Sequence, residues 1–314
     1  MPFFRQRPRP MHLGRFPMEK IKGVSETTTK ITDNVPSMPK RAHFFQRARF
    51  GDLGPKAQQE VRSFANKHPL SMSTGKVTRT QATVHDGNVA PEKAPMPEDL
   101  HEIAEHIKAT CYFLHADLVG ICEMSDYAWY SHDIDGNPIT AKHKYAIVLV
   151  IDQGFETMEA SSGDDWISGS QSFRAYLKGS TVACTVAGYI RELDYEARAH
   201  TNPDSEVMHN PLTMLAGLSE LSRIGEIVLN PFLGHQFKTA VITTNLPMAV
   251  DQPIDFGLKN FVVNAGNAPV SAPPERYPSA TMLCSTATRC GSPTLTPAPV
   301  TGSPIPTDPT TNAA

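Results

Sequence analysis

The sequence predicts a mixed α/β or α+β domain over residues 98–261, in which helices cover a layered sheet. Three observations support this fold class. Segments with helical periodicity alternate with short apolar segments of strand length. The longest apolar run, residues 145–151, is strand-sized and far too short to cross a membrane. The flanking residues 1–97 and 262–314 show neither helical nor alternating hydrophobic periodicity, so we place the boundaries of the domain at residues 98 and 261.

Three helices are predicted inside the domain. The first follows Pro97, because Leu100, Ile103, Ile107 and Cys111 fall on one helical face. A long helix is predicted over residues 169–193. The third is predicted over residues 210–222, with a proline well placed in its first turn.

Five strands are predicted from short apolar or β-branched segments. Residues 144–152 form a β-branched run that suits a central strand. The other predicted strands cover residues 118–124, 195–199, 226–230 and 238–245. Together with the helices they give the alternating order of a layered sheet domain.

The two flanks differ from the domain in composition. Residues 1–97 are rich in Pro, Lys, Arg and Thr and predict an extended arm with short ordered pieces, one of them around residues 57–65. Residues 262–314 contain ten of the 27 prolines and only four charged residues. This composition predicts a disordered tail.

Composition also limits the function classes. A formal net charge of −3 gives no reason to expect a nucleic acid or membrane partner. The sequence lacks a phosphate loop, a dinucleotide-binding glycine motif and a HExxH zinc motif, and its scattered histidines predict no metal site. The five cysteines contain no Cys-x-x-Cys pair and are interpreted as buried free thiols. Without a secretory or twin-arginine signal, the chain is predicted to be cytoplasmic.

The most informative segment covers residues 189–261. It contains Tyr-Ile-Arg-x-Leu-x-Tyr-x-Ala, then Ala-Gly-Leu-x-Glu-Leu-x-Arg-x-Gly leading into Asn-Pro-Phe-Leu-Gly, and finally Thr-Thr-x-Leu-Pro followed by Asp-x-Pro-Ile-Asp-Phe-Gly. Together these motifs resemble reductive dehalogenases just upstream of their ferredoxin-type cysteines. A looser resemblance to epoxyqueuosine reductase, a related cobalamin and iron–sulfur enzyme, remains the alternative.

The resemblance implies a nitroreductase-like cobalamin-binding sandwich and the reductive removal of halide from an organohalide at the cobalt. In the intact family, electrons come from two [4Fe–4S] clusters, supplied by an external electron donor such as a ferredoxin or a reductase. A macrocycle with many amides needs small residues and backbone amides around it. The residues expected to line such a cobalamin cradle are Thr185, Ala216, Gly217, Leu218, Gly225, Gly234, Thr243, Thr244, Asn245 and Leu246. An inactive cobalamin-binding fragment is a further alternative.

The resemblance also implies a tyrosine that donates a proton to the dehalogenated carbon. Tyr189 is the expected donor, with Thr185 one turn earlier on the same helical face, and Tyr176 is the alternative. A nearby cation would stabilise the phenolate that remains after donation, because an unperturbed phenol, with a pKa of about 10, is a poor proton donor. Family members often have an arginine where this chain has Gln236 and a lysine where it has Gln252, so these departures leave Lys238 as the expected basic partner.

The tail is interpreted as a frameshift product that replaces the iron–sulfur domain. The family continues with Cys-x-x-Cys-x-x-Cys-x-x-x-Cys-Pro, whereas residues 262–314 contain no such motif. Read one base earlier, the codon junctions 261/262, 264/265, 267/268 and 271/272 can all encode cysteine, and Pro273 supplies the proline. One lost base would therefore explain the missing cysteines, the missing charges and the change in composition.

Overall fold

The computed structural model describes residues 9–29, 35–63, 67–161 and 166–259. The tail that the sequence predicts to be disordered, and the proposed frameshift junction at Phe261, lie outside these ranges.

A four-stranded antiparallel sheet forms the centre of the domain. Its strands are β1 (Leu118–Glu123), β2 (Tyr145–Asp152), β3 (Ala197–His200) and β6 (Phe237–Thr244). They lie side by side in the order β1-β2-β6-β3. A separate hairpin pairs β4 (Glu220–Leu221) with β5 (Val228–Leu229). The predicted mixed helix-and-sheet fold class is confirmed, and the sheet is antiparallel.

Strand β2 is central because both of its faces are covered. Ile147, Leu149 and Ile151 point into one apolar cluster. The alternate residues Val148 and Val150 point into a second cluster on the opposite face. Side chains alternate along a strand, so a strand buried on both faces must be apolar throughout. The continuous apolar run in the sequence therefore marks this strand correctly.

The described residues contain seven α-helices. They are α1 (Phe44–Arg49), α2 (Pro55–Ser63), α3 (Pro69–Thr80), α4 (Leu100–Phe113), α5 (Phe155–Ala160), α6 (Trp166–Glu192) and α7 (His209–Leu215). Helices α4 and α6 cover one face of the sheet, and α7 covers the other together with the β4–β5 hairpin. Among the described residues, no helix is both long enough and apolar enough to cross a bilayer.

The third predicted helix is shorter than expected. Helix α7 ends at Leu215, and β4 occupies residues that the sequence analysis assigned to the helix. The reason is Gly217, whose φ of +68° terminates the helix in the left-handed region. Its Cα also lies so close to the Gln252 backbone that a Cβ would approach the carbonyl oxygen to 2.3 Å. The Ala-Gly pair is therefore a helix end packed against another segment.

The N-terminal arm contains helix α3, which the sequence analysis did not predict. It packs along α6, and its buried residues are Ser71, Gly75 and Thr78. The Ser71 hydroxyl lies 3.1 Å from the Ser170 hydroxyl. Hydrophobic periodicity could not reveal this helix because its buried face is small and polar. The ordered piece predicted around residues 57–65 corresponds to α2.

Candidate functional site

Tyr189, the tyrosine expected to donate a proton, lies on the flank of α6 that faces α4, packed against the edge of the apolar cluster. Its hydroxyl is 2.8 Å from Nε2 of His106 on α4, and it is partly buried between these helices. Thr185 shares this side, is exposed, and donates its hydroxyl to the Thr181 carbonyl. Tyr189 therefore has a histidine partner.

The expected basic partner, Lys238, lies against a different tyrosine. Its Nζ is 5.4 Å from the ring centroid of Tyr176, and both side chains are partly buried. Tyr176 precedes Tyr189 by 13 residues on α6, which corresponds to about 20 Å along the helix and nearly half a turn around it. Lys238 thus belongs to the Tyr176 side of the helix, and the structure does not bring it to Tyr189.

A third side chain completes this arrangement. Burial raises the pKa of Tyr176 above its usual value, and the Asn202 side chain, which approaches the Tyr176 hydroxyl from the loop after β3, lowers it by less. Burial also lowers the pKa of Lys238. Phe173 packs edge-on against the Tyr176 ring at 6.0 Å between centroids. We call Tyr176, Asn202 and Lys238 the tyrosine site.

The short strand β3 explains why the tyrosine site lies where it does. β3 pairs with β6 only from Val241 to Thr244, so Lys238 precedes the paired part of that strand. Beyond His200 the chain leaves the sheet, and the following loop carries Asn202 toward α6. Lys238 is held in place on the other side by β2, where it lies opposite Ile151. The site therefore forms where β3 ends and α6 crosses β6.

Most of the expected cradle residues are covered by protein. Ala216 and Leu218 are buried in the apolar cluster beneath α7, and Gly217 packs on the Gln252 backbone. Leu246 belongs to the cluster on the α6 face and is fully buried. These four residues act as packing and turn residues in this fold.

The end of β6 is also enclosed. The Thr243 hydroxyl is 2.7 Å from His143 Nδ1 and 2.8 Å from His200 Nε2, and the Thr244 hydroxyl donates to the Glu196 carbonyl. Asn245 donates to the Lys142 carbonyl and the Glu196 carboxylate, and it accepts from the Lys144 amide. All three side chains have protein partners.

The remaining expected residues lie apart from these. Gly225 is buried in the β4–β5 turn and Gly234 is exposed, with positive φ angles of +77° and +58°. Gly234 precedes β6 and Thr243 lies near its far end, so the length of the strand separates them by about 20 Å. The ten expected cradle residues do not line one surface.

The described cysteines are free and buried. Burial raises the pKa of Cys111 to about 12 and also raises the pKa of Cys122 and Cys184. Within the described ranges, no group of three or more His, Cys, Asp or Glu side chains is arranged to hold a metal ion. Cys284 and Cys290 lie outside these ranges.

Comparison with solved structures identifies the family. The catabolic reductive dehalogenase NpRdhA is 48% identical to this chain, with a TM-score of 0.77, and the match covers 81% of this chain and 37% of that protein. The chain belongs to the reductive dehalogenases. One NpRdhA structure is in complex with 3-bromo-4-hydroxybenzoic acid, and a reductive dehalogenase structure with the same similarity is described with a mechanism for B12-dependent dehalogenation.

Curated relatives agree with this assignment. The tetrachloroethene reductive dehalogenases of Dehalobacter restrictus and Desulfitobacterium hafniense are each 30% identical over 120 residues, which is 38% of this chain. This chain spans about a fifth of the length of those relatives and about a third of NpRdhA. No family model matches it. Epoxyqueuosine reductase, the alternative from the sequence, matches at 14% identity with a TM-score of 0.33, which is too low to support an argument.

Proposed function

We propose that this chain carries the proton-donating site of a reductive dehalogenase and that Tyr176 is the donor. Reductive dehalogenation replaces a carbon–halogen bond with a carbon–hydrogen bond, so it consumes two electrons and one proton and releases halide. The observation that carries the proposal is the tyrosine site itself: a phenol with the Asn202 amide beside its hydroxyl and the Lys238 amine over its ring. Tyr189 with His106 is the second candidate, because that hydroxyl also has a titratable partner at 2.8 Å.

The electrostatics favour Tyr176 as a proton donor. Burial raises its pKa, so the phenol stays protonated and ready to donate at neutral pH. Once the proton has left, the Asn202 amide and the Lys238 ammonium stabilise the phenolate. Because burial also lowers the pKa of Lys238, the ammonium is a better acid than an exposed lysine. It can therefore help to return a proton to the phenolate.

Cobalamin is implied by the family resemblance and by the B12-dependent relative. The residues present do not fit it in the way that the sequence predicted, since Ala216, Leu218, Thr243 and Leu246 are buried among protein atoms. We therefore assign no residue of this chain to cobalamin. The proton step is derived from Tyr176, Asn202 and Lys238 alone.

Comparing two tyrosine variants tests the donor assignment. In an enzyme with its reading frame restored, Tyr176→Phe should reduce dehalogenation of 3-bromo-4-hydroxybenzoic acid by a factor of about 10² to 10⁴, the usual contribution of general acid catalysis. This substrate is chosen because NpRdhA binds it. Tyr189→Phe is the matched control and should retain activity. The opposite pattern would assign the role to Tyr189, and full activity in both variants would refute a tyrosine donor.

We also propose that the segment after Phe261 results from the loss of one base. Cluster ligation needs four thiolates at close spacing, and the shifted reading can encode four cysteines and the following proline at the family spacing. The cysteine ligands of the electron-delivering clusters would then be encoded in the restored reading frame. Resequencing the locus tests this proposal, because the wobble bases must encode those cysteines. Stop codons or other residues at those four positions would refute it.

A further inference from the structure

An ion-paired cluster lies beside the loop that carries Asn202. Arg198 on β3 pairs with Asp204 at 2.6 Å and also with Asp86. Lys40, from the N-terminal arm, pairs with the other carboxylate oxygen of Asp204 at 2.7 Å. The side chains of Lys40 and Arg198 are only 17% and 11% exposed, whereas those of Asp204 and Asp86 are 42% and 62% exposed, so salt and solvent partly screen these pairs.

The rest of this loop, residues 201–206, is tied down as well. The Thr201 hydroxyl is 2.9 Å from Nε2 of His85, and its amide donates to the Asp204 carbonyl. The Glu206 amide donates to Nδ1 of His200. Asn202 itself is exposed and lies between these attachments. Its position therefore depends on what holds its neighbours, because it has little packing of its own.

We propose that Lys40 is a positioning residue for the tyrosine site: by holding Asp204, it keeps the 201–206 loop where Asn202 reaches the Tyr176 hydroxyl. The proposal rests on the proposed role of Tyr176. It gives the N-terminal arm a function, since Lys40 reaches the domain from a segment far away in sequence. Lys40 is fixed in turn by its backbone amide, which donates to the His132 carbonyl at 2.9 Å.

Charge distribution supports a stable attachment of the arm. Residues 1–97 contain 17 Lys and Arg against 7 Asp and Glu, whereas residues 98–261 contain 10 against 23. Opposite net charges attract the two parts of the chain over distances longer than a single ion pair. Lys22 makes another such contact, 3.8 Å from Asp255, but its side chain is 73% exposed and it is not part of the cluster. Lys22 is therefore a matched control for Lys40.

The experiment measures the pKa of Tyr176 in the full chain. The protein is labelled with 3-fluorotyrosine, the Tyr176 signal in the ¹⁹F NMR spectrum is assigned by its loss in Tyr176→Phe, and that signal is titrated. Lys40→Gln and Asn202→Ala should each raise the pKa by about one unit, the effect of losing one hydrogen bond to the charged form. In the double variant the pKa of Tyr176 should be no higher than in either single variant. Lys22→Gln should leave the pKa of Tyr176 unchanged. Lys40→Arg, which keeps the positive charge, should show the same Tyr176 pKa as the unsubstituted chain.

The outcomes separate this inference from the proposed function. If Asn202→Ala raises the pKa and Lys40→Gln does not, the positioning role is refuted while the Tyr176–Asn202 contact stands. If neither variant changes the pKa of Tyr176, the Tyr176–Asn202 contact and the positioning role are both refuted. If Lys40→Gln does not fold, Asp204→Asn removes the same pair and takes its place. Failure of the proton-donor role appears separately, as full dehalogenase activity in Tyr176→Phe.

Discussion

Replacing Thr243 by valine tests whether this residue is structural. Its hydroxyl is fully buried and connects His143 to His200. The Glu206 amide donates to His200 Nδ1, so the hydrogen of that neutral ring is on Nε2 and is donated to the Thr243 oxygen. The threonine hydroxyl then donates its own hydrogen to His143 Nδ1. One side chain thus satisfies a buried donor and a buried acceptor.

The expected loss of stability follows from these two bonds. Valine has nearly the same shape but no hydroxyl, so it leaves two buried ring nitrogens without partners. Each unsatisfied group costs about 1–3 kcal/mol, which gives a loss of about 2–6 kcal/mol in the free energy of unfolding. A typical domain has a total of only about 5–15 kcal/mol. Thr243→Ser keeps the hydroxyl and should cost about 1 kcal/mol, for one lost methyl group.

Urea denaturation followed by circular dichroism measures both variants. The valine variant should unfold at a much lower urea concentration than the serine variant, with an unchanged m-value. Ile242→Val, at the neighbouring buried position, shows the cost of removing a methylene without removing a hydrogen bond, about 0.5–1.5 kcal/mol. If valine costs no more than serine, the buried chain from His143 to His200 does not exist as described. Thr243 would then again be a candidate for ligand binding.

Three further predictions concern stability and the iron–sulfur motif. Burial lowers the pKa of His209 to about 4, so below its unfolded-state pKa of about 6.5 the unfolded chain binds a proton that the folded chain does not. The free energy of unfolding should therefore fall by up to about 3 kcal/mol between pH 6.5 and pH 4. The melting temperature of His209→Gln should depend less steeply on pH than that of the exposed control His235→Gln. Gly217→Ala should destabilise the chain by more than Gly136→Ala in urea titrations. Both glycines have positive φ angles, but only at Gly217 does a Cβ meet backbone, and equal losses would contradict the packing. The purified chain as written should bind no [4Fe–4S] cluster, because Cys284 and Cys290 lie outside the four-cysteine spacing; stoichiometric iron and sulfide after anaerobic reconstitution would contradict this.

Several elements could be read from the sequence because their signal is local. The apolar stripe of Ile103, Ile107 and Cys111 is buried on α4, as its spacing predicts, and Asp99 caps the helix by accepting from the His101 amide. The β-branched run of β2 gave the central strand. The motifs after residue 189 gave the family, because they record sequence similarity directly. None of these conclusions required knowing which distant residues meet.

Helical periodicity does not distinguish the two tyrosines of α6. Tyr176 lies on a stripe with Ala183 and Ala187, which are fully buried, and Tyr189 lies on another stripe with Val182, which is buried as well. Both stripes are covered because α6 packs against the sheet and also against α3 and α4. The spacing therefore does not indicate which polar groups each tyrosine contacts.

Those partners were decided by the tertiary structure. Lys238 meets Tyr176 because β6 pairs with β2 in one register, which places Lys238 opposite Ile151 beneath α6. Asn202 meets it because β3 stops after four residues, and the loop beyond is held by Lys40 from the distant arm. Gly217, Thr243 and Leu246 resembled ligand-binding residues in the sequence, but the fold buries them. Periodicity reports the face on which a side chain lies, whereas strand register and loop closure determine which residues meet across the sheet.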